Sequence, residues 1–449
     1  MKQAGNELFE TENIWKILWK IAPPVMLAQL IQSLYNIVDS YFVGRYSGSG
    51  LTALSVIFPI QLVIVALAVG TGVGVNILIA RQLAEQKYED ANSVAGVGEV
   101  LALLTWAVFS VASVFLLPLY IHVSAQSQQV VADAQTYGFI VCIGSLGIFM
   151  ESIWTKVHQA SGNMKLPMAA QIAGAVTNIV LDPLLIFGVG FFPALGIAGA
   201  AIATVAGQFV AAILTGIAAF RRPPRPADCL RHAKKIYRLA CPSIFMQLLV
   251  TLYIVVLNII LAGFSDSAVT VLGLYYKVQT FFFIPLLGFQ TCIIPVLSYT
   301  FARGSYDRCK SIFKDAVLVA LAFMLLGVFC FECLPGQMIS LFSRDEQVLS
   351  IGIPAFRIIG ASFLPAVPAL ITPIFFQAIG ATLPSVLLSL TRQLFCLIPI
   401  FWFFSKIGLA YTWLAFPIAE TVTMGVGLIL YARQSRRWSR AASSTVMPT

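Results

Sequence analysis

Charged residues are scarce in this chain of 449 residues: they make up 10% of it, whereas hydrophobic residues make up 59%. An ordinary soluble domain carries about 25% charged residues, so the scarcity of charge excludes a globular cytosolic protein. Apolar runs of about 20 residues or more recur along nearly the whole length, and each could cross a hydrocarbon layer about 30 Å thick as a helix. The sequence therefore predicts a multi-pass protein of a lipid bilayer.

Several kinds of functional site are also missing from the sequence. No Walker A sequence occurs, and the glycine-rich stretch GTGVGVN, Gly70 to Asn76, lacks the Lys-Ser/Thr ending of a phosphate loop. The only histidines, His122, His158 and His232, are widely separated, which argues against a membrane-embedded enzyme with a His/Asp or His/Glu cluster. No basic patch interleaved with aromatic residues indicates nucleic-acid binding. We therefore expect no enzyme and no cofactor, and a protein that draws on an ion gradient.

Reading apolar runs between polar breaks predicts twelve transmembrane helices, here called spans 1 to 12. They cover residues 15–44, 51–80, 94–121, 132–158, 166–190, 194–220, 234–263, 268–301, 314–341, 348–378, 384–404 and 408–432. The predicted fold class is therefore an all-α integral membrane protein.

Lysine and arginine lie mostly at one end of these spans, which accounts for the formal net charge of +9. They precede span 1, follow spans 2, 4, 6 and 8, and follow span 12, whereas the opposite loops hold little beyond Arg45, Arg344 and Lys406. Because loops rich in lysine and arginine stay in the cytoplasm, we predict a plasma-membrane protein with both termini cytoplasmic. The even number of spans agrees with this orientation.

The basic, proline-rich segment Arg221–Lys235 divides the chain into two parts that resemble each other in sequence. A shift of 218 positions, without a gap, aligns Ala22 with Ala240, Pro24 with Pro242, Gln29 with Gln247, Tyr35 with Tyr253, Gln61 with Gln279, Gly70 with Gly288, Gln159 with Gln377 and Gly162 with Gly380. Two halves of six spans that begin on the same side are parallel repeats, as in secondary transporters that bind substrate between their halves. We predict an N-terminal lobe of residues 1–220, a cytoplasmic linker of residues 221–233 and a C-terminal lobe of residues 234–449 around a central cavity.

Two aspartates lie inside spans of the first half. Asp39 in span 1 aligns with Leu257, and Asp182 in span 5 aligns with Ile400, so the second half lacks both acids. A carboxylate near the middle of a bilayer costs about 2.5 to 3.5 kcal/mol on insertion scales, so each acid should face a polar chamber or a partner. Counted from the cytoplasmic ends at about 1.5 Å per residue, both lie in the outer half of the membrane. We predict one shared chamber for ion coupling or substrate binding.

Further polar side chains are placed to join this chamber. Tyr35 and Asn36 precede Asp39 by one helical turn, as Asn178 precedes Asp182. Thr204 stands among the small residues of span 6, where helices pack closely. In span 1, Pro24 and the preceding proline lack an N–H group, so the helix could bend there. A proline in the first turn of a helix, where it is well tolerated, is an equal alternative.

The alternative role for each acid is a buried structural ion pair, for instance with Lys156 or Arg392. Glu151, toward the cytoplasmic end of span 4, is within reach of Lys156, so a structural pair there is as well supported as a function. The sequence leaves open the roles of Glu151, Lys277, Arg357 and Arg392.

Several motifs together resemble the multidrug and toxic compound extrusion (MATE) family. They are AP(P)…Q…N-x-VD…FVG in span 1, QASGNMKLPM after span 4, N-x-V-x-D in span 5 and LGIAGAAIAT in span 6. The resemblance covers nearly the whole chain and implies export of amphipathic or cationic drugs in exchange for H⁺ or Na⁺. It assigns the coupling acids to Asp39 and Asp182, the pocket to Asn178, Tyr35 and Thr204, and the bending point of span 1 to Pro24.

One departure bears on the choice of ion. A sister branch of the family has acids in spans 7 and 10, and here those spans have none. This favours proton coupling through the first half, with Na⁺ at Asp39, Asp182 and Asn178 as the alternative. A lipid-linked oligosaccharide flippase of the same superfamily is a rival, because Lys277, Arg357 and Arg392 could contact a pyrophosphate. We expect a monomer in either case, and the substrate and stoichiometry are not determined by the sequence.

Overall fold

The structure is a computed structural model that describes residues 14–124, 127–190, 192–341 and 345–445. It describes the side chains in these ranges except those of residues 14–19, 21, 36, 37, 48, 51, 123, 227, 266 and 440–445. Arg344, one of the few basic residues predicted on the outer side, lies outside the described residues. The described residues form helices and short connections, and no strand occurs among them.

Each of the twelve predicted spans corresponds to one helix or to one interrupted helix. Spans 1 to 6 are Ile14–Tyr46, Gly48–Ala84, Tyr88–Ser124, the pair Gln128–Gly144 and Leu146–Ala160, Lys165–Phe187, and Ile197–Ala219. Spans 7 to 12 are Pro226–Ala262, Asp266–Ala302, Tyr306–Cys333, the pair Glu346–Gly360 and Phe363–Ala378, Thr382–Ser405, and Leu409–Thr412 with Ala415–Thr445. A short helix, Pro335–Ser340, follows span 9.

These helices are long and apolar enough for a membrane fold. Within the described ranges, nine helices pass that test, and the two bent pairs bring the number of spans to 11. Span 1 adds a helix of 33 residues, about 50 Å long at 1.5 Å per residue. The predicted all-helical fold of twelve spans is confirmed.

The internal repeat extends to the local geometry of the backbone. Spans 2 and 8 both contain 37 residues, and each is preceded by a serine whose hydroxyl accepts a hydrogen bond from the backbone N–H three residues later. These capping serines, Ser47 and Ser265, satisfy an N–H group that the first turn leaves without a helical partner. Positive φ angles also recur, at Gly162 (77°) and Gly380 (79°). The two halves therefore share their turns as well as their spans.

Spans 4 and 10 are interrupted at corresponding places. Span 4 bends by 40° at Ser145, and span 10 bends by 54° near Ser362. Each serine hydroxyl donates to the carbonyl three residues earlier, Cys142 and Ile359 respectively, at 2.6 Å. Glycine and serine together are a recognised cause of sharp helix kinks, and both breaks follow a glycine.

The chain forms two compact units, the first made mainly of Trp19–Gln247 and the second mainly of Leu248–Thr449. In the first unit, spans 5 and 6 approach closely because glycines face each other. A Cβ atom added to Gly174 would lie 2.6 Å from the Gly207 carbonyl oxygen, and the reciprocal distance is also 2.6 Å. This approach brings the polar side chains of the two spans together.

The second unit has an aromatic core and a buried ion pair. Phe331 stacks on Phe356 with ring centroids 5.0 Å apart. Arg392 of span 11 binds Glu420 of span 12 through contacts of 2.6 to 3.0 Å. Span 7 begins at Pro226, inside the segment predicted as the linker, and the division into lobes and linker stays a prediction.

Candidate ion-coupling site

The two intramembrane aspartates meet inside the first unit. Span 1 carries Asp39 and span 5 carries Asp182, and their carboxyl groups lie within hydrogen-bonding range of each other. Asp182 is fully buried and Asp39 is 7% exposed. The structure thus brings together the two acids for which the sequence predicts a shared chamber.

The amide of Asn178, on span 5, connects Asp182 to Thr204 of span 6. The Asn178 Nδ2 atom donates to Asp182 Oδ1 and to Thr204 Oγ1, in both cases at 3.4 Å. The amide is thereby fixed by groups on its own helix and on the neighbouring one. Its Oδ1 atom is buried and has no hydrogen-bond partner among the described residues, so it remains available to a ligand or to water.

Tyr35 lies close to both carboxyl groups. It also lines a cavity of about 100 Å³, together with Asn178 and Thr204. For Asn36 the structure describes the helical backbone, and the side chain falls outside the described part. Of the predicted pocket residues, Tyr35, Asn178 and Thr204 are therefore placed beside the acid pair.

Two further side chains belong to the chamber and were not predicted from the sequence. Tyr137, in the first half of span 4, accepts a hydrogen bond from Gln61 Nε2 of span 2 at 3.2 Å. Its hydroxyl also lies within hydrogen-bonding range of Thr204 and near Asp39. Gln61 could have been predicted from the sequence, because it aligns with Gln279 in the repeat and a polar residue inside a membrane span is costly.

The basic residues proposed as structural partners of the acids are engaged elsewhere. Lys156 Nζ donates to Gln159 Oε1 at 2.9 Å, and Arg392 pairs with Glu420 in the second unit. Within the described part of the chain, no ion pair includes Asp39 or Asp182. One oxygen of each carboxyl group, Asp39 Oδ1 and Asp182 Oδ2, is buried there without a hydrogen-bond donor.

This arrangement can exchange a small cation or a proton. Two carboxyl groups without a basic neighbour are costly to bury in the ionised state, so the chamber favours states in which a proton or a cation is bound. The described residues contain no cluster of three or more His, Cys, Asp or Glu side chains. Asp39, Asp182 and Asn178 nevertheless present oxygen atoms that a monovalent metal ion could use.

The prolines of span 1 lie in the helix interior. The helix begins at Ile14, so Pro23 and Pro24 come more than two turns after its start. The alternative of well-tolerated first-turn prolines is therefore wrong. An interior proline removes a backbone hydrogen bond and strains the preceding turn, which places a weak point between the N-terminal end of span 1 and Asp39.

Twelve spans in two repeated halves, with a buried acid pair in one half, define a membrane transporter. The chain belongs to the MatE family, whose sequence profile matches residues 24–184 and 242–403. These two blocks lie one in each half, and their starts are separated by the same shift that aligns the repeat. The resemblance noted in the sequence is confirmed at the level of the family.

Named relatives cover nearly the whole chain. A FAD transporter from Shewanella oneidensis is 26% identical over 432 residues and covers 94% of this chain and 95% of its own. The multidrug export protein MepA from Staphylococcus saprophyticus is 22% identical over 445 residues, with coverage of 97% and 98%. Both are transporters by name, in agreement with the expectation that this chain is not an enzyme.

The fold is shared with solved structures. A MOP superfamily transporter from Pyrococcus furiosus, described as having a binding pocket of reverse polarity that suggests a different function, superimposes with a TM-score of 0.90 at 23% identity. It covers 98% of this chain and 99% of its own. A MATE crystal structure in the straight conformation gives a TM-score of 0.90 at 22% identity, covering 98% of this chain and 100% of that one.

Proposed function

We propose that this transporter exports amphipathic or cationic compounds in exchange for protons by alternating access. The observation that carries the proposal is the buried contact between Asp39 and Asp182 without a described basic partner. Such a pair binds a proton or an organic cation, and the two ligands compete for the same negative charge. Competition of this kind is what an antiporter needs.

The exchange follows from electrostatics in the chamber. Two negative charges at close range in a medium of low dielectric repel strongly, so the pair keeps one proton and a substrate cation stabilises the single negative charge that remains. When the chamber faces outward, a second proton binds to the pair and the substrate loses its counter-charge. The substrate then dissociates, and the protonated chamber, which is closer to neutral, can face inward.

Span 1 supplies the movement in this scheme. Pro23 and Pro24 lack N–H groups, which leaves the carbonyl groups of Trp19 and Lys20 without their helical partners. The helix can therefore bend at this point at a lower cost than elsewhere. Because Asp39 lies on the same helix beyond the prolines, a bend at Pro24 would change its position relative to Asp182.

The proposal places the protein in the plasma membrane as a monomer with both termini in the cytoplasm. Support for the orientation comes from lysine and arginine, which are concentrated in the loops on one side of the spans. The two lobes, residues 1–220 and 234–449, would act as the moving parts on either side of the linker.

Export of a flavin nucleotide is a second candidate. It is favoured by the FAD transporter from Shewanella oneidensis, which matches over 94% of this chain. Lys277 of span 8 and Arg357 of span 10 are exposed side chains that could contact a diphosphate. The acid pair counts against this candidate because it would repel an anion.

The test is efflux of a fluorescent organic cation from proteoliposomes, with a pH gradient and a sodium gradient imposed separately. We expect the pH gradient to accelerate export, and Asp39→Asn and Asp182→Asn each to abolish that acceleration. Asp133→Asn is the matched control, because Asp133 is an aspartate of the same unit that contacts Ser49 and Gln129 outside the chamber. FAD is tested in parallel as the transported compound.

Three results would contradict the proposal. Export by both variants at the parental rate would remove the role of the carboxyl groups. Acceleration by sodium alone would assign the chamber to Na⁺. Export of FAD without export of the cation would support the second candidate.

A further inference from the structure

Polar side chains continue from the acid pair toward the end of the unit predicted to be cytoplasmic. Measured along each helix from that end, Gln171 lies about 9 Å deep, Glu151 about 14 Å and Gln208 about 17 Å. Asn178 follows at about 20 Å and Asp182 at about 26 Å. Polar groups thus occur at intervals of a few ångströms from the inner half of the membrane to the acid pair in the predicted outer half.

All of these side chains except Asp182 line one cavity. Glu151, Gln171 and Gln208 line the same space of about 100 Å³ as Tyr35, Asn178 and Thr204. About 10 to 15 Å³ of such space is enough to hold one water, so the cavity has room for several. The cavity therefore links Glu151 to the residues that contact the acid pair.

Unsatisfied polar atoms lie along this cavity. Asn178 is 2% exposed, and its Oδ1 atom has no hydrogen-bond partner in the described part of the chain. The Oε1 atom of Gln208 is also buried without a hydrogen-bond partner among the described residues. Buried polar atoms are nearly always hydrogen-bonded, so both amides are suited to bind water in this space.

Glu151 is held in place by neutral donors. Its Oε1 atom accepts from Thr155 Oγ1 at 2.7 Å and from Gln171 Nε2 at 3.5 Å. Lys156 on the same span interacts with it electrostatically, and the Lys156 Nζ atom donates to Gln159. No ion pair among the described residues includes Glu151. Its carboxyl group is therefore oriented by hydrogen bonds and is not paired with a basic side chain.

The neighbouring spans bring few other titratable groups into the membrane at this point. Span 6 carries none, and span 5 carries Asp182 of the acid pair. Span 3 contributes Glu99, which accepts from Trp154 Nε1 at 3.0 Å and from the Arg221 backbone N–H at 2.9 Å. Arg81 of span 2 and Lys165 of span 5 lie at the ends of their helices.

We propose that Glu151 is the inner acid of a proton path that connects the Asp39–Asp182 pair to the cytoplasmic side. The O–H bond of a protonated aspartate breaks, its proton passes to water in the cavity, and a proton from that water forms a new O–H bond on the Glu151 carboxylate. Glu151 then releases the proton to water on the cytoplasmic side. This inference rests on the proposed proton antiport, because it describes how the imported proton leaves.

The experiment separates substrate binding from proton movement. Binding of ethidium to the purified protein gives the affinity, and ethidium-driven proton movement is followed in proteoliposomes with an entrapped pH-sensitive dye. For Glu151→Gln we expect ethidium affinity within about twofold of the parent and proton exchange slower by at least about tenfold. Glu151→Asp should restore part of the exchange, because it returns a titratable carboxyl group to the cavity.

Glu99→Gln is the matched control, since it changes a glutamate of the same unit that does not line the cavity and should exchange protons at the parental rate. Proton exchange by Glu151→Gln at the parental rate would overturn the proposal. A loss of ethidium affinity as large as the loss of proton exchange would also overturn it, because it would indicate that Glu151 contacts the substrate. If Glu151→Gln fails to fold, Glu151→Asp with exchange no faster than background overturns it. Failure of the proposed antiport would give a different result: the rate of ethidium export by the parental protein would not change with the pH gradient.

Discussion

Arg392 and Glu420 form a buried ion pair whose removal should have a large and specific effect. The side chains are 16% and 8% exposed, and Arg392 Nη2 lies 2.6 Å from Glu420 Oε1. Removing one partner of such a pair costs about 3 to 5 kcal/mol, because the other charge stays buried without compensation. We therefore expect Glu420→Leu and Arg392→Met each to lower the thermal unfolding temperature markedly in detergent.

The double variant Arg392→Met/Glu420→Leu is the control for this ion pair. Replacing both charges by apolar side chains of similar volume is often neutral or stabilising, so we expect most of the lost stability to return. If the double variant were as unstable as the two single losses added together, the pair would not act as a unit.

At the scale of single residues, the sequence predicted the acids better than their neutral neighbours. Asp39 and Asp182 could be found because a carboxylate inside a membrane span is costly and needs a reason. Tyr137 could not be found in this way, because a tyrosine in an apolar helix is ordinary. Its place beside Thr204 depends on how spans 4 and 6 pack, which a single sequence does not reveal.

At the scale of helices, the contact between Gly174 and Gly207 should control the geometry of the acid chamber. An added Cβ atom at Gly207 would lie 2.6 Å from the Gly174 carbonyl oxygen and 3.3 Å from the Asn178 Cβ atom. Spans 5 and 6 would have to separate, and overpacking of this kind costs about 1 to 3 kcal/mol. We expect Gly207→Ala to lower the unfolding temperature and to slow cation export.

Gly273→Ala is the matched control for the helix contact, because a Cβ atom there meets nothing within 4 Å. Alanine in an unstrained helical position stabilises by up to about 1 kcal/mol, so this variant should unfold no earlier than the parent. Equal stability of the parent and Gly207→Ala would show that the two spans are not held at this distance by their glycines.

The sequence predicted the existence of the helices and missed their interruptions. Apolar runs of membrane-spanning length indicate a helix whatever its neighbours are. The bend in span 4 lies at Ser145, whose hydroxyl donates to the Cys142 carbonyl, whereas Ser113 donates to the Phe109 carbonyl in span 3 without interrupting the helix. Which of them marks a kink is decided by tertiary packing.

At the scale of the whole chain, the two halves share the order of their helices and turns and differ in the polar residues inside their spans. The repeat was visible in the sequence because turn residues such as Gly162 and Gly380 adopt positive φ and stay glycine in both halves. The second half has Leu257 where the first has Asp39, and Leu257 is fully buried. Duplication thus explains the fold, whereas ion coupling is proposed to depend on substitutions in one half.

The contact between the carboxyl groups leads to a prediction about the charge moved in each cycle. Two carboxyl groups within hydrogen-bonding range of each other share one proton more readily than they hold two negative charges. If the pair alternates between one proton and two, each cycle exchanges one proton for one monovalent cation and moves no net charge. We therefore expect steady-state export of a monovalent cation to be independent of membrane potential.

The measurement sets the potential of proteoliposomes with a potassium gradient and an ionophore while the pH gradient is held constant. Exchange of two protons for one cation would add about 2.3 kcal/mol per 100 mV, or about 50-fold in the accumulation ratio. A ratio that changes by that amount contradicts the shared-proton scheme and leaves proton antiport intact. A divalent organic cation provides the control, because one-proton exchange would then move one net charge and make its export depend on the potential.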